Sequence, residues 1–361
     1  MLLRFRLVMI VALLALLVGC GGTGTGTLGF GRTTGGGTAG AVSGCPDAPG
    51  PITGPLVFGA NQNGLAAIAL DGSNVMTLVK PSINDRAYDP FWSPDGKTLA
   101  YTFARPSTNP NLSWLQVGMI CGLDQATGKG RVLLQAVSPS ESLEDATWTP
   151  DGKGFIVTHH QPQLDSQGNY SGDDVALQRI DQGGKPQTIM KDATSPMLSA
   201  DGQHLVYVHV DPNTNAMILM VAGADGRNPQ ALTNQRSAFI TIVNPHWSPA
   251  GSQIVFTASG GASKAEAAPA RGRSLVERLL GIDVAEAHGL PSDLWMIGAD
   301  GQNLQRLTNK GLDDPRATWS PDGHSIVFVG GGFGGIFRID PATKSEQMLS
   351  KQGYYGGIAL K

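Results

Sequence analysis

The sequence predicts an all-β ring: a six-bladed β-propeller of four-stranded blades, with seven blades as the alternative. Three observations carry that expectation. A five-residue stretch, Trp-Ser-Pro-Asp-Gly or a near variant, occurs five times in 361 residues. Its copies stand 56, 50, 49 and 72 residues apart, and a self-similar unit of roughly 40–50 residues is the signature of a propeller or another repeat array. Each copy also leads into a short run that is apolar on both faces, as expected of a strand sandwiched between two neighbouring sheets.

The anchors are Trp92, Trp148, Leu198, Trp247 and Trp319, each opening the five-residue stretch. The full Ser-Pro-Asp-Gly form follows Trp92 and Trp319, and variants follow the other three. This is turn chemistry: Pro presets φ, Asp bonds its own backbone, and Gly accepts positive φ. Past the Gly, the third and fifth positions are apolar in every copy: Leu99 and Tyr101, Phe155 and Val157, Leu205 and Tyr207, Ile254 and Phe256, Ile326 and Phe328. The fourth is apolar as well, which makes a strand buried on both sides. A second hairpin completes each unit. Leu294 to Ile297 leads to Asp300-Gly301 and then to Leu307-Thr308, and Ile218 to Val221 leads likewise to Asp225-Gly226 and Leu232-Thr233. Asp-Gly between apolar runs is a hairpin signal.

The ends of the chain settle the blade count. Leu56 to Phe58, Ala67 to Leu70 and Val75 to Val79 form a hairpin set that lacks an anchor strand. The stretch Tyr354 to Leu360 is a strand without partners. Joining the two completes a sixth blade and removes the exposed sheet edges. The long step from Trp247 to Trp319 is taken up by an insertion, 259–291, between the second and third strands of blade five. Ser274 to Ile282 inside it has helical apolar spacing and a candidate Ser N-cap.

A Trp-Ser-Pro-Asp-Gly strand, a Leu-Trp-like strand, Asp-Gly and then Leu-Thr together resemble the TolB propeller repeat of bacterial envelope proteins. The resemblance spans 51–361 and implies the propeller fold without catalytic residues. TolB carries an amino-terminal domain before its propeller. Here that place holds a Gly/Thr-rich stretch, 20–50, whose composition reads as a flexible tether.

Residues 1–19 read as a lipoprotein signal peptide. Arg4 and Arg6 precede an apolar run from Leu7 to Val18, too short for a standard membrane span. Leu17-Val18-Gly19-Cys20 resembles a bacterial lipobox, which implies cleavage before Cys20 and lipidation of that residue. Acyl chains would then hold the protein at a membrane, by roughly 0.8 kcal/mol per buried CH₂. The head is expected outside the cytoplasm on the cell membrane or the outer membrane, and Gly21, in place of Asp, is compatible with outer-membrane export. In that compartment Cys45 and Cys121 can pair; the alternative is an unpaired Cys45 and a buried, inert Cys121.

Composition narrows function by exclusion. A net charge of −3 gives no case for nucleic acid. Three Cys residues fit no zinc spacing. No G-x-S-x-G elbow occurs. Adjacent His159 and His160 face opposite ways on a strand. The Asp165 to Asp174 loop, with Asn169 and Asp173, has oxygen ligands but lacks the EF-hand pattern and reads first as a solvated loop. No catalytic, cofactor or metal residue is assigned. The anchor Trp residues could form an aromatic ligand ring, but one per blade at a fixed place is expected to pack between blades. The resulting expectation is a monomeric, non-catalytic envelope lipoprotein whose propeller binds a protein or glycan partner. The alternatives are a propeller enzyme, metal-dependent and lactonase-like or lyase-like, or a sensor domain.

Overall fold

The computed structural model describes residues 44–60, 64–181, 184–234, 237, 239–261, 290–331, 334–353 and 355–361. They form six four-stranded antiparallel sheets arranged as a six-bladed β-propeller. Five blades are consecutive in the chain. Blade one is composite: Ile358–Leu360 pairs with Leu56–Ala60, in the register Leu56 to Leu360 and Phe58 to Ile358. The amide of Lys361 then donates to the carbonyl of Pro55 at 3.0 Å. The two ends of the chain are thus adjacent strands of one sheet.

In blades two to six the anchor residue ends the innermost strand. These strands are Arg86–Trp92, Ser142–Trp148, Ala193–Leu198, Phe239–Trp247 and Arg316–Trp319. In blades two to six the second strand carries a run of four or more consecutive buried residues. Ile326–Val329 is buried throughout, and Thr98–Pro106 is buried until its last two residues. Neighbouring blades cover both its faces, which is why these runs do not alternate in polarity. Two of the anchors reach across to the preceding blade: Trp247 Nε1 donates to the carbonyl of Met197 at 3.1 Å and Trp319 Nε1 to that of His246 at 3.3 Å.

Four of the five anchor turns are built the same way. In blade two, Ser93 Oγ donates to Asp95 Oδ1 (2.7 Å) and accepts from the amide of Thr98 (2.9 Å). Asp95 Oδ1 also accepts from the amide of Lys97 (3.0 Å), while Gly96 sits at φ +67°. The same bonds recur at Thr149 and Asp151, Ser199 and Asp201, and Ser320 and Asp322. The hydroxyl of the Leu-Thr pair also has a structural task. Thr233 Oγ1 accepts from the buried amide of Leu219, and Thr308 Oγ1 from that of Leu294, at 2.9 and 3.0 Å. Each would otherwise be an unsatisfied buried donor.

The up-and-down path of every blade sorts its connections onto two faces. Anchor turns and Asp-Gly turns lie on one, the turn face. Loops between second and third strands, and crossings from blade to blade, lie on the other, the loop face. The second strand of blade five ends at Gly260 and the third begins at Ser292, so the long insertion leaves and re-enters on the loop face. Its expected helix lies outside the described residues, as do Cys20 and Tyr354. No helix among the described residues is long and apolar enough to cross a membrane.

The described chain begins on the flank of blade two. Cys45 forms a disulfide with Cys121, with 5.7 Å between Cα atoms. The carbonyl of Gly44 accepts from Arg105, and Asp47 pairs with Lys129 at 2.8 Å. From there the segment runs to the turn face, where the amides of Ala48 and Ile52 donate to the carbonyls of Gly128 and Gln125.

The disulfide closes a loop with a sequence separation of 76. Replacing Cys45 by Ser together with Cys121 by Ala is expected to cost about 2–4 kcal/mol in urea unfolding. Blade five lacks the turn carboxylate, having Ala250 on the exposed side of Ser248. In the other four anchor turns the serine or threonine hydroxyl, then the following amide, lowers the Asp pKa. A lowered folded pKa gives stability that is present at neutral pH and lost as pH falls through it. Ala250→Asp is therefore expected to raise the melting temperature at pH 7, and thermal scans below about pH 3 should no longer show the gain.

Candidate functional site

On the axis of the ring, one position per blade is not used by the repeat. It is the third residue before the anchor: Asp89, Asp145, Ser195, Asn244 and Arg316, with Gly357 as the counterpart three residues before Leu360. In blades two to five the inner strand bulges here. Register is lost between Tyr88 and Phe91, Glu144 and Thr147, Thr194 and Met197, and Val243 and His246. The bulged residue adopts positive φ, from +47° to +52° across Asp89, Asp145, Ser195 and Asn244. A bulge re-aims a side chain out of the pleat, and Asp and Asn tolerate that backbone region better than most residues. Pro follows in three of the four, as Pro90, Pro196 and Pro245. Blade six differs. Asp314 holds the positive φ, +51°, and Pro315 follows, but two extra residues intervene before the anchor. Arg316 therefore takes the ring position from within a regular strand.

These residues line a cavity of about 440 Å³ that includes Pro94, Pro150 and Ala200 of the anchor turns, so it lies toward the turn face. Gly357 is a steric requirement. A Cβ there would lie 2.9 Å from both Cα and Oδ1 of Asp89, and its φ is +90°. Its neighbour Gly356 accepts the amide of Asp89 at 2.7 Å. The closing strand thus shapes the axis as well as the ring.

Charge on the axis is concentrated and largely internally paired. Arg316 Nη2 and Nε donate to Asp314 Oδ2 at 2.9 and 3.1 Å, and Nη1 lies 3.6 Å from Asp89 Oδ1. Asp145 Oδ2 accepts from Ser195 Oγ at 3.1 Å. The amide of Ser195 in turn donates to the buried Thr158 hydroxyl. Burial pushes the Asp89 carboxyl up to about 8; Arg316 opposes this, while the hydrogen-bonded Asp145 carboxylate adds to it. Asp89 is thus held in its protonated form near neutral pH, as expected of a buried carboxyl beside a second one. Burial, then the Arg316 charge, lowers His246 to about 4, so its imidazole is neutral. Asn244 Nδ2 is buried without a partner among the described residues, a donor able to meet an acceptor in the cavity.

A second group surrounds the loop-face end of blades two and three. His160 Nδ1 lies 2.8 Å from Asp173 Oδ2. Burial works against its charge, but the Asp173 bond and then Glu144 outweigh it and raise it to about 9. His159 turns the other way, to Glu141 at 3.2 Å. In the Asp165 loop, Asp165 Oδ1 accepts from the amides of Gln167 and Asn169, both 2.9 Å, while Asp174 accepts from Gln163. Those oxygens are spent on the turn and the hairpin. Among the described residues no group of three or more His, Cys, Asp or Glu is placed to hold a metal ion. His204 lies against the Trp247 ring, His324 is on the surface, and His288 lies outside the described residues.

The axial ring does not emerge from residue-type searching, because its members share no chemistry. A positional signal exists: an αL-tolerant residue, usually before Pro, three places ahead of the anchor.

No protein-family model matches this chain, and no curated protein matches it. Solved structures do. TolB from Acinetobacter baumannii superposes with a TM-score of 0.59 at 16% identity, over 86% of this chain and 67% of that one. A chain of a nidogen/laminin complex gives 0.57 at 12%, over 84% and 97%. A putative TolB from Agrobacterium tumefaciens gives 0.51 at 16%, over 81% and 87%. At such identities the likeness is one of fold.

The raised Asp89 pKa has a signed consequence. A carboxyl whose folded pKa lies above its unfolded value contributes stability that is complete below the unfolded pKa, near 3.8, and lost as pH rises through the folded one, about 8. Asp89→Asn removes that titration. Chemical unfolding from pH 5 to 8 is expected to show a smaller fall in stability for the variant than for the parent; equal slopes would contradict the assignment.

Proposed function

We propose that this chain is a non-catalytic envelope lipoprotein, anchored outside the cytoplasm through Cys20, whose propeller takes a segment of a protein or glycan partner into the axial cavity. One observation carries the reading. The repeat holds its packing and turn positions nearly constant, but varies the residue at the axis: Asp from blades two and three, Ser, Asn and Arg from blades four to six, and Gly from blade one. Acid, hydroxyl, amide and guanidinium converge there, as in a recognition site built from loop variation on a rigid scaffold. The carboxylates are engaged by Arg316, Ser195 and each other, which suits fixed hydrogen-bond recognition. Solved neighbours include TolB proteins and a chain from a nidogen/laminin complex, and binding by a propeller is consistent with the second of these.

A propeller enzyme is the second reading, and the raised Asp89 carboxyl beside Asp145 favours it, since a perturbed carboxyl in a cavity can serve as a general acid. The two readings separate experimentally. A photo-crosslinker at Asn244 in native envelopes is expected to give a discrete adduct, while one at Gln347, exposed on an outer strand, does not. Matching patterns from the two positions would overturn axial binding. Turnover of small esters or glycans that Asp89→Asn abolishes would instead establish the enzyme.

A further inference from the structure

Ten large hydrophobic side chains stand exposed among the described residues, and they are unevenly placed. Six belong to the loop face: Ile83, Trp114, Val137, Leu164, Ile240 and Leu290. They include the three most exposed of the ten, Val137 at 92%, Ile83 at 84% and Ile240 at 58%, and Trp114 at 53%, which Met348 on an outer strand equals. The other four, Leu70, Val75, Val132 and Met348, are scattered over the turn face and outer strands. Isolated surface apolar residues need no explanation, but an accumulation on one face does.

Four of the six are consecutive around the ring. Ile83 lies in the crossing into blade two, Trp114 in the loop of blade two, Val137 in the crossing into blade three, and Leu164 at the end of a long strand of blade three. Trp114 is held in place. Its ring meets Tyr170 edge-on at 5.2 Å, and Asn111 Nδ2 bridges the two loops by donating to the carbonyl of Gly168 at 3.1 Å. The described chain starts beside the same sector. Arg105, at the loop-face end of its strand, donates to the Gly44 carbonyl and lies 4.0 Å from Asp85, two residues past Ile83.

We propose that this rim docks on the lipid bilayer, with Ile83, Trp114 and Val137 entering the headgroup region and the axial cavity facing away from the membrane. The proposal rests on the Cys20 anchor. The 23 residues between Cys20 and Gly44 have the composition of a Gly-rich coil, with a root-mean-square reach of roughly 25–30 Å. That keeps the Gly44 side of the head within reach of the surface it is tied to, so weak apolar insertion acts at high effective concentration. Trp and Tyr favour the membrane–water interface because a ring can lie in the apolar zone with its polar edge in water. With a net charge of −3, attraction to anionic lipid is not the driving force; insertion is, and it should survive high salt.

The test uses the full chain, purified with its native modification and reconstituted in vesicles of phosphatidylethanolamine and phosphatidylglycerol carrying bromine on the upper acyl chain. Trp114 is the chain's one tryptophan in the exposed class. Bromine is expected to quench part of the tryptophan emission at low and high salt, and Trp114→Phe should remove the quenched part. Ile83→Ser with Val137→Ser should lose the quenching while still floating with the vesicles. Flotation without quenching overturns the docking and leaves the anchor standing. Quenching with Cys20 unmodified keeps the docking face and overturns the anchor. Neither signal overturns both, and a crosslinker at Val137 that captures protein in place of lipid in native membranes also overturns the docking.

Discussion

Everything in this molecule depends on a three-residue pairing. Ile358–Leu360 lies beside Leu56–Ala60 and turns a row of sheets into a ring. A blade alone buries one face poorly, and its central strand is apolar on both. Only closure gives every blade two neighbours, and the sheet edges that remain are short and lie within the ring or at its rim. The pairing has contacts on both sides: Leu56, Phe58 and Ile358 share a cluster with Val327, Val329 and Ile336 of blade six, while Val57 packs with Leu99 and Tyr101 of blade two. Loss of this one strand would leave the Leu56–Ala60 edge unpaired and open the cluster that Ile358 shares with blade six.

Closure also explains the axial site. Six inner strands approach a common axis at a distance set by the ring, and a bulge in four of them turns one side chain inward. The closing strand contributes Gly357, whose missing Cβ leaves space for Asp89, and Gly356, whose carbonyl holds the Asp89 amide. Low solvation then does the rest. It keeps Asp89 protonated and His246 neutral, while Asp314 above all holds the Arg316 charge in place despite its burial. The same residues on separate surface loops would titrate as ordinary groups.

The two faces carry different chemistry because they carry different connections. The turn face is made of Ser-Pro-Asp-Gly and Asp-Gly turns, whose side chains satisfy their own backbones and leave little variation. The loop face takes the crossings, the hairpin of blade three and the blade-five insertion, so its composition is free to drift apolar. An axial cavity toward the regular face and an apolar rim on the irregular one give the head a polarity, and the Cys45–Cys121 disulfide fixes where the amino-terminal segment meets it.

The repeat by itself determined the blade architecture, the count of six and the closure by the carboxyl-terminal strand. Those properties follow from local rules, turn chemistry at fixed spacing and runs apolar on both faces, and local rules are written in consecutive residues. The turn role of the Ser-Pro-Asp-Gly stretch follows from the same period, whereas the capping task of the Leu-Thr hydroxyl shows only in the structure. The axial ring was legible only as a position three places before each anchor, without any indication that Asp89, Asp145 and Arg316 meet. Tertiary structure alone decided that meeting, the protonation it enforces, and the gathering of Ile83, Trp114 and Val137 on one rim. Each depends on distances between segments far apart in the chain, which the radius of the closed ring sets and no single repeat contains.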